Sequence, residues 1–180
     1  MNNKGFTIIE TLVAVLILAL ALNSLFAVIS TNIFSAKYAK NEITAMYLAQ
    51  EAIDHIRNDR DTVASQGNDW SQFLFNYGYD ISTSSTSLCF SGDGCYFDAN
   101  NWDPYAIQAC SGECPPFTFD SSVSQESYYT YNSFYDETFF ARKIRMIPLN
   151  SDEIAVLVEV NWINGSRNKT YNLSTSLLKW

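Results

Sequence analysis

MNNKGFTIIETLVAVLILALALN, residues 1–23, decides how the rest of the chain is built. A short polar leader ends at Gly5, and the apolar run behind it tolerates a single carboxylate, Glu10, near its start. A carboxylate within a spanning helix costs about 2.5–3.5 kcal/mol on insertion scales, so such a group has a partner or a task. From Phe6 to Asp61 neither Gly nor Pro occurs, which predicts one continuous helix of about 84 Å at 1.5 Å per residue. Residues 6–29 account for about 36 Å of it, enough to cross a hydrocarbon core of roughly 30 Å. Lys4 is compatible with an N-terminus kept on the inner side.

Two ordinary readings compete for this segment. A secretory signal needs a small-x-small cleavage site, which Ala19-Leu20-Ala21 supplies, but its core does not hold a carboxylate. A plain signal-anchor helix needs only the length and leaves Glu10 unexplained. KGFTIIETLVAVLILALAL, residues 4–22, instead resembles the class III signal of type IV prepilins and type II secretion pseudopilins. The resemblance implies cleavage after Gly5 by a membrane-bound prepilin peptidase on the cytoplasmic side and N-methylation of the new terminus at Phe6. It also implies an assembly role for Glu10, the fifth residue of the mature chain. Within one chain the Phe6 amine sits about 6 Å along the axis from Glu10 and points elsewhere. The partner is then the Phe6 amine of a neighbouring copy, shifted by roughly one helical turn.

Beyond the bilayer, Ala36, Ala39, Ile43, Met46, Ala49, Ile53 and Ile56 recur at spacings of three and four, marking an apolar helix face. Lys37, Lys40, Glu51, Asp54, Arg57 and Asp61 mostly take the other sides, the pattern of a helix leaning on a sheet. The sheet is legible further on. Residues 138–147 form a strand candidate, and Ile154, Val156, Val158, Val160 and Trp162 alternate strictly. Asn164-Gly165 offers a primed hairpin turn, after which Tyr171, Leu173, Thr175 and Leu177 resume the alternation. The expected fold class is α+β: a long N-terminal helix, transmembrane and then amphipathic, packed on a C-terminal antiparallel meander of three or four strands.

The middle of the chain reads differently. Between Thr62 and Ala141 there is no Lys or Arg, while ten carboxylates fall there against a formal net charge of −8 for the whole chain. An acidic middle argues against direct contact with nucleic acid, where Lys and Arg must neutralise phosphates. The stretch 63–137 is too aromatic to be disordered and reads as ordered loops with short strands, including Tyr128-Tyr129-Thr130-Tyr131. A small extracytoplasmic head needs reinforcement, and Cys89, Cys95, Cys110 and Cys114 lie in it. Of three possible connectivities we expect the adjacent one, Cys89–Cys95 with Cys110–Cys114. Zinc fits these spacings poorly, and the only histidine, His55, is remote on the helix and expected to face solvent. Calcium is a subordinate idea resting on Asp93, Asp98 and Asp103 near Ser91-Gly92-Asp93-Gly94, without the full loop signature. No phosphate-binding glycine loop and no nucleophile–histidine pattern is visible, so neither an enzyme nor a resident cofactor is expected.

Further segments narrow the resemblance. YLAQEAIDHIRNDRD (47–61), FFARKIRMI, VEVNWING and YNLSTSLLKW are similar to segments of minor pilins of the type IV pilus modification group and of minor pseudopilin I of type II secretion. The organisation implied is a leader (1–5), an assembly half of the helix (6–29), an amphipathic half (30–61), an acidic, cysteine-bearing loop region (62–137) and a sheet (138–180). The resemblance implies a structural subunit that primes or modifies a bacterial pilus-like filament. It would rest in the cytoplasmic membrane before joining an extracytoplasmic pilus or pseudopilus. Its partners would be other pilins or pseudopilins, the prepilin peptidase, the inner-membrane assembly platform and the membrane itself. The alternative is a pilus-tip or cell-surface adhesion module using the 84–125 insert.

Overall fold

The computed structural model of the chain describes residues 7–99, 107–120 and 128–180. Two compact units divide it, residues 1–41 and 42–180. The described part of the first is helical almost throughout. Helix α1 (Ile8–Ser65) starts there and supplies the first element of the second unit. As the absence of Gly and Pro requires, it is unbroken, and it runs past Asp61 to Ser65.

In the second unit the helix meets a sheet. Strands β7 (Asp136–Asn150), β8 (Glu153–Asn164) and β9 (Arg167–Leu178) form an antiparallel meander whose inward rows are buried. Phe140, Ile144 and Met146 of β7, Ile154, Val156, Val158, Val160 and Trp162 of β8, and Leu177 of β9 make the sheet side of the core. Burying each Val, Ile or Leu contributes about 1.5–3 kcal/mol, so this row is the main source of cohesion.

The helix side keeps the later part of the stripe expected by periodicity, Ala49, Ile53 and Ile56, and departs from it before Ala49. Ala45, Leu48, Ala49, Ala52, Ile53, Ile56 and Val63 are buried, whereas Ala36 and Ala39 are exposed and Ile43 is 51% exposed. Period alone does not fix the phase of a face with apolar residues on several sides. The buried line follows the alanines at 45, 49 and 52, whose small side chains let sheet residues approach the helix backbone.

The middle region is more regular than its composition suggests. A short helix α2 (Trp70–Asn76) follows α1 and buries Trp70, Phe73 and Leu74. At about two turns it falls below the length at which periodicity is readable. A hairpin of β1 (Tyr79–Asp80) and β2 (Ser85–Thr86) stands apart from the main sheet. Strands β3 (Cys95–Tyr96), β4 (Gln108–Ala109), β5 (Pro116–Asp120) and β6 (Tyr128–Thr130) join it, giving seven strands. They extend the far edge of β7: β5 pairs the start of β7 and carries β6, and β3 pairs Ile144 and carries β4. The expected three-or-four-stranded meander thus continues into the segment read as ordered loops with short strands, and the strand expected at Tyr128 is there as β6.

The final turn also differs from expectation. Asn164 pairs Arg167, so the two-residue loop is Gly165-Ser166, not Asn164-Gly165. Only Gly165 has a positive φ, +65°, the arrangement of a turn with glycine at its first central position.

Candidate functional site

The N-terminal helix start is built from Thr7 and Glu10. The Thr7 carbonyl accepts from the Glu10 and Thr11 amides at 3.1 and 3.2 Å, and the Thr7 hydroxyl oxygen accepts from the Glu10 amide at 3.4 Å. Thr7-Ile8-Ile9-Glu10 therefore has the Thr-x-x-Glu form of a capping box, which the sequence displayed but which its odd carboxylate overshadowed. A carboxylate in the first turn is also favoured by the helix dipole. Glu10 accordingly has a local reason to be tolerated beside any intermolecular one. Gly5 and Phe6, the expected processing positions, lie outside the described residues.

Downstream, large apolar side chains stand open to the surroundings: Leu12, Leu16, Leu20, Phe26 and Phe34 are each about 60% exposed or more. The polar groups among them turn back on the helix. Thr11, Asn23 and Ser24 donate to the carbonyls of Ile8, Ala19 and Ala21 at 2.8, 2.9 and 2.7 Å. Such self-satisfaction suits a medium that offers no hydrogen bonds. By length and composition this helix is apolar enough to cross a membrane.

The head is organised around Arg142, which sits on the apolar row of β7 and is fully buried. Its guanidinium donates to the Leu48 carbonyl of α1 at 2.8 Å, to the Glu51 carboxylate at 2.7 Å and to the Phe97 carbonyl at 2.9 Å. The rings of Phe97 and Phe117 lie 5.2 and 4.9 Å from its central carbon. A helix side chain leans toward the N-terminus, so residue 52 would cover the Leu48 carbonyl. Alanine there leaves that carbonyl open to the arginine. Sequence reading missed this site, although Phe140, Arg142, Ile144 and Met146 alternate and place an arginine where a hydrophobe is due.

The remaining expected positions scatter around this centre. Disulfides join Cys89 to Cys95 and Cys110 to Cys114. Gly94 reaches the left-handed region (φ +74°), and a Cβ there would come within 2.6 Å of the Ile144 carbonyl, so only glycine lets the first bridge lie this close to β7. His55 does not face solvent freely: it is half-buried, with its ring 4.7 Å from that of Phe97. Asp98 accepts from the Thr130 hydroxyl and, at 3.3 Å, from the Tyr131 amide, tying the segment after β3 to β6. Asp93 is exposed on a turn, and Asp103 lies outside the described residues. Among the described residues no group of three or more His, Cys, Asp or Glu is gathered to hold a metal. The calcium expectation therefore has no assembled ligand set here.

Two measurements follow from this geometry. Closing loops as short as these two removes about 2 kcal/mol of unfolded-state entropy each. Replacing Cys89 and Cys95, or Cys110 and Cys114, by paired serines should lower stability by about that amount in denaturant titration, and reducing agent should do so only for the unmutated bridges. The second concerns buried phenols. Burial, aided by the Asp59 carboxylate that accepts the Tyr77 hydroxyl at 2.8 Å, raises the Tyr77 pKa well above its usual value. Burial raises that of Tyr131 too, with Arg142 opposing and Asp98 reinforcing the shift. Both phenols thus ionise more readily in the unfolded chain, near pH 10. Their contribution is complete below that pH and is lost as pH rises above it. The Tyr131 hydroxyl has no hydrogen-bond partner among the described residues. Tyr131→Phe should therefore be neutral or slightly stabilising at pH 7 and should flatten the alkaline loss in melts above pH 10, whereas Tyr77→Phe should cost about 1 kcal/mol at pH 7.

Residues 1–22 match the family model of the prokaryotic N-terminal methylation motif. The chain carries a prokaryotic N-terminal methylation motif. The matched span contains Gly5, Phe6 and Glu10, and it runs directly into the exposed apolar stretch of α1. No curated protein and no solved structure matches the chain. The methylation motif supports a precursor of the type IV pilin or pseudopilin type, and together with the apolar helix it fits a membrane-anchored pilin.

Proposed function

We propose that this chain is a minor subunit of a type IV pilus-like filament, a pilus or a pseudopilus, which it helps to prime or modify. The observation that carries the reading is the continuity of the methylation motif at residues 1–22 with an apolar helix whose described side chains up to residue 37 are all exposed in the single chain. Prepilin peptidase cuts between Gly5 and Phe6, and the new terminus is methylated. The helix first rests in the cytoplasmic membrane and then exchanges lipid for the helices of neighbouring pilins on the assembly platform. Glu10 meets the Phe6 amine of the next subunit there. The head contributes structure and not catalysis: His55 packs against Phe97, and Arg142 is consumed by the core.

Mass analysis of the N-terminus tests the class directly. The expected product begins at N-methylated Phe6, and a chain still starting at Met1 or cut after Ala21 defeats the reading. The adhesion alternative has less to stand on, because β3, β4 and β5 of the 84–125 segment belong to the head's own sheet. Deleting that segment would remove β2, three strands of the main sheet and both disulfides, so loss of adhesion in such a deletion would report unfolding.

A further inference from the structure

The two disulfides differ in what surrounds them. Cys89 and Cys95 are fully buried, and Gly94 beside Cys95 packs against the Ile144 carbonyl of β7. Cys110 is buried too, but its partner Cys114 is only half-buried and lines a groove of about 580 Å³. The groove lies on the sheet face turned away from α1, where Gly112 and Glu113 face the outward residues Phe139, Lys143 and Glu159. Ser111, Gly112 and Glu113 are exposed, and a Cβ at Gly112 would meet nothing within 4 Å, so no group packs over the tip of this turn. The second bridge also joins a weakly held strand to a firmly held one. Cys114 leads through Pro115 into β5, whose Pro116 lies opposite Ala141 of β7. Cys110 follows β4, whose two residues are both exposed and pair only with β3 among the described strands. Beyond that pairing, the Cys110 amide donates to the Gly94 carbonyl at 2.9 Å and the Tyr96 hydroxyl donates to the Gln108 side chain. A strand held by so few contacts belongs to the part of a structure that opens locally at low cost.

We propose that Cys110–Cys114 is a redox-labile clasp, opened by a dithiol reductant while Cys89–Cys95 stays closed, and that its opening releases β4 from β3. A thiolate of the dithiol enters by the groove and attacks the Cys114 Sγ. The Cys110–Cys114 bond breaks, and Cys110 leaves as a thiolate that takes a proton from water. The second thiol of the reductant then attacks the mixed disulfide, Cys114 leaves, and the dithiol departs as its own disulfide. Two electrons thus pass from the reductant to the bridge. Exchange requires access to the sulfur under attack, which Cys114 offers and the enclosed pair of Cys89 and Cys95 does not. The two residues of β4 are both exposed, so its release leaves the buried row of β7 and β8 in place.

The test uses the full chain in detergent, incubated with dithiothreitol under native conditions and alkylated with iodoacetamide at intervals. Peptide mass spectrometry should show Cys110 and Cys114 labelled at least tenfold faster than Cys89 and Cys95. In protein reduced at that bridge alone, amide exchange over residues 107–111 should rise at least tenfold while that of β8 is unchanged. Reoxidation with oxidised glutathione should return the exchange to its starting rate. The variant Cys110→Ser with Cys114→Ser should exchange fast at 107–111 without reductant, and dithiothreitol should add nothing to it. Equal labelling of the two pairs, earlier labelling of Cys89 and Cys95, or labelling of neither pair before the chain unfolds overturns the clasp. Unchanged exchange at 107–111 once Cys110 and Cys114 are reduced overturns it equally.

Discussion

Arg142→Ala is expected to lower the stability of the head by about 3–5 kcal/mol, the range for removing one partner from a buried charged network. Three losses add up. The carbonyls of Leu48 and Phe97 lose charge-assisted donors in the core, the rings of Phe97 and Phe117 lose the cation between them, and a cavity opens on β7. The ion pair itself is the smaller part, because the Glu51 side chain is 39% exposed and solvent screens it. Glu51→Gln should therefore cost about 1 kcal/mol or less. Arg142→Lys should fall between the two, since one ammonium cannot span the Leu48 and Phe97 carbonyls as the planar fork does. Thermal melts of the full chain in detergent decide the order. Equal losses for Glu51→Gln and Arg142→Ala would show that the ion pair, and not the carbonyl contacts, carries the effect.

Glu10→Val should leave leader cleavage intact and reduce recovery in sheared filaments by a hundredfold or more. In the filament proposed above, removing the carboxylate leaves the neighbour's Phe6 amine uncompensated in a buried setting, at a cost of about 3–5 kcal/mol, and each 1.4 kcal/mol is a factor of ten. The capping geometry at Thr7 supplies the control. Thr7→Val removes the side-chain oxygen that accepts from the Glu10 amide and should cost only about 1 kcal/mol of helix stability, with little effect on incorporation. Glu10→Gln keeps a residue suited to the capping box but loses the charge. If Glu10→Gln enters filaments normally while Glu10→Val does not, the carboxylate serves the helix start and not the intermolecular pair.

How far the sequence could be read depended on period and length. The alternation from Ile154 to Trp162 and the run without Gly or Pro up to Asp61 are long signals, and they appear as β8 and, from Ile8, as α1. The amphipathic stripe was legible at Ala49, Ile53 and Ile56, but before them its phase was ambiguous because apolar residues occur at 43 and 46 as well as at 45 and 48, and packing chose the second pair. Of the short strands, β6 was legible in the aromatic run from Tyr128, whereas β3, β4 and β5 were not, because two to five residues cannot establish a period and these strands exist through pairing onto β7 and its neighbours. Arg142 was hidden by a rule that usually serves well, that arginine marks the solvent face. At the N-terminus the position of Glu10 was conspicuous, while its partnership with Thr7 was spelled out in four letters and needed the helix start to be recognised.

The fully buried Arg142 also sets an order of events. Its acceptor at Leu48 lies 94 residues earlier in the chain, and the apolar row of α1 has no cover until β7, β8 and β9 have been made. Contacts this distant in sequence close slowly, because loop-closure entropy must be met before they form. In vectorial synthesis the residues that need covering emerge first and their cover emerges last. The nascent head must therefore be shielded for the whole interval, and a ribosome stalled before β9 would release a chain with its core face bare and open to misassembly.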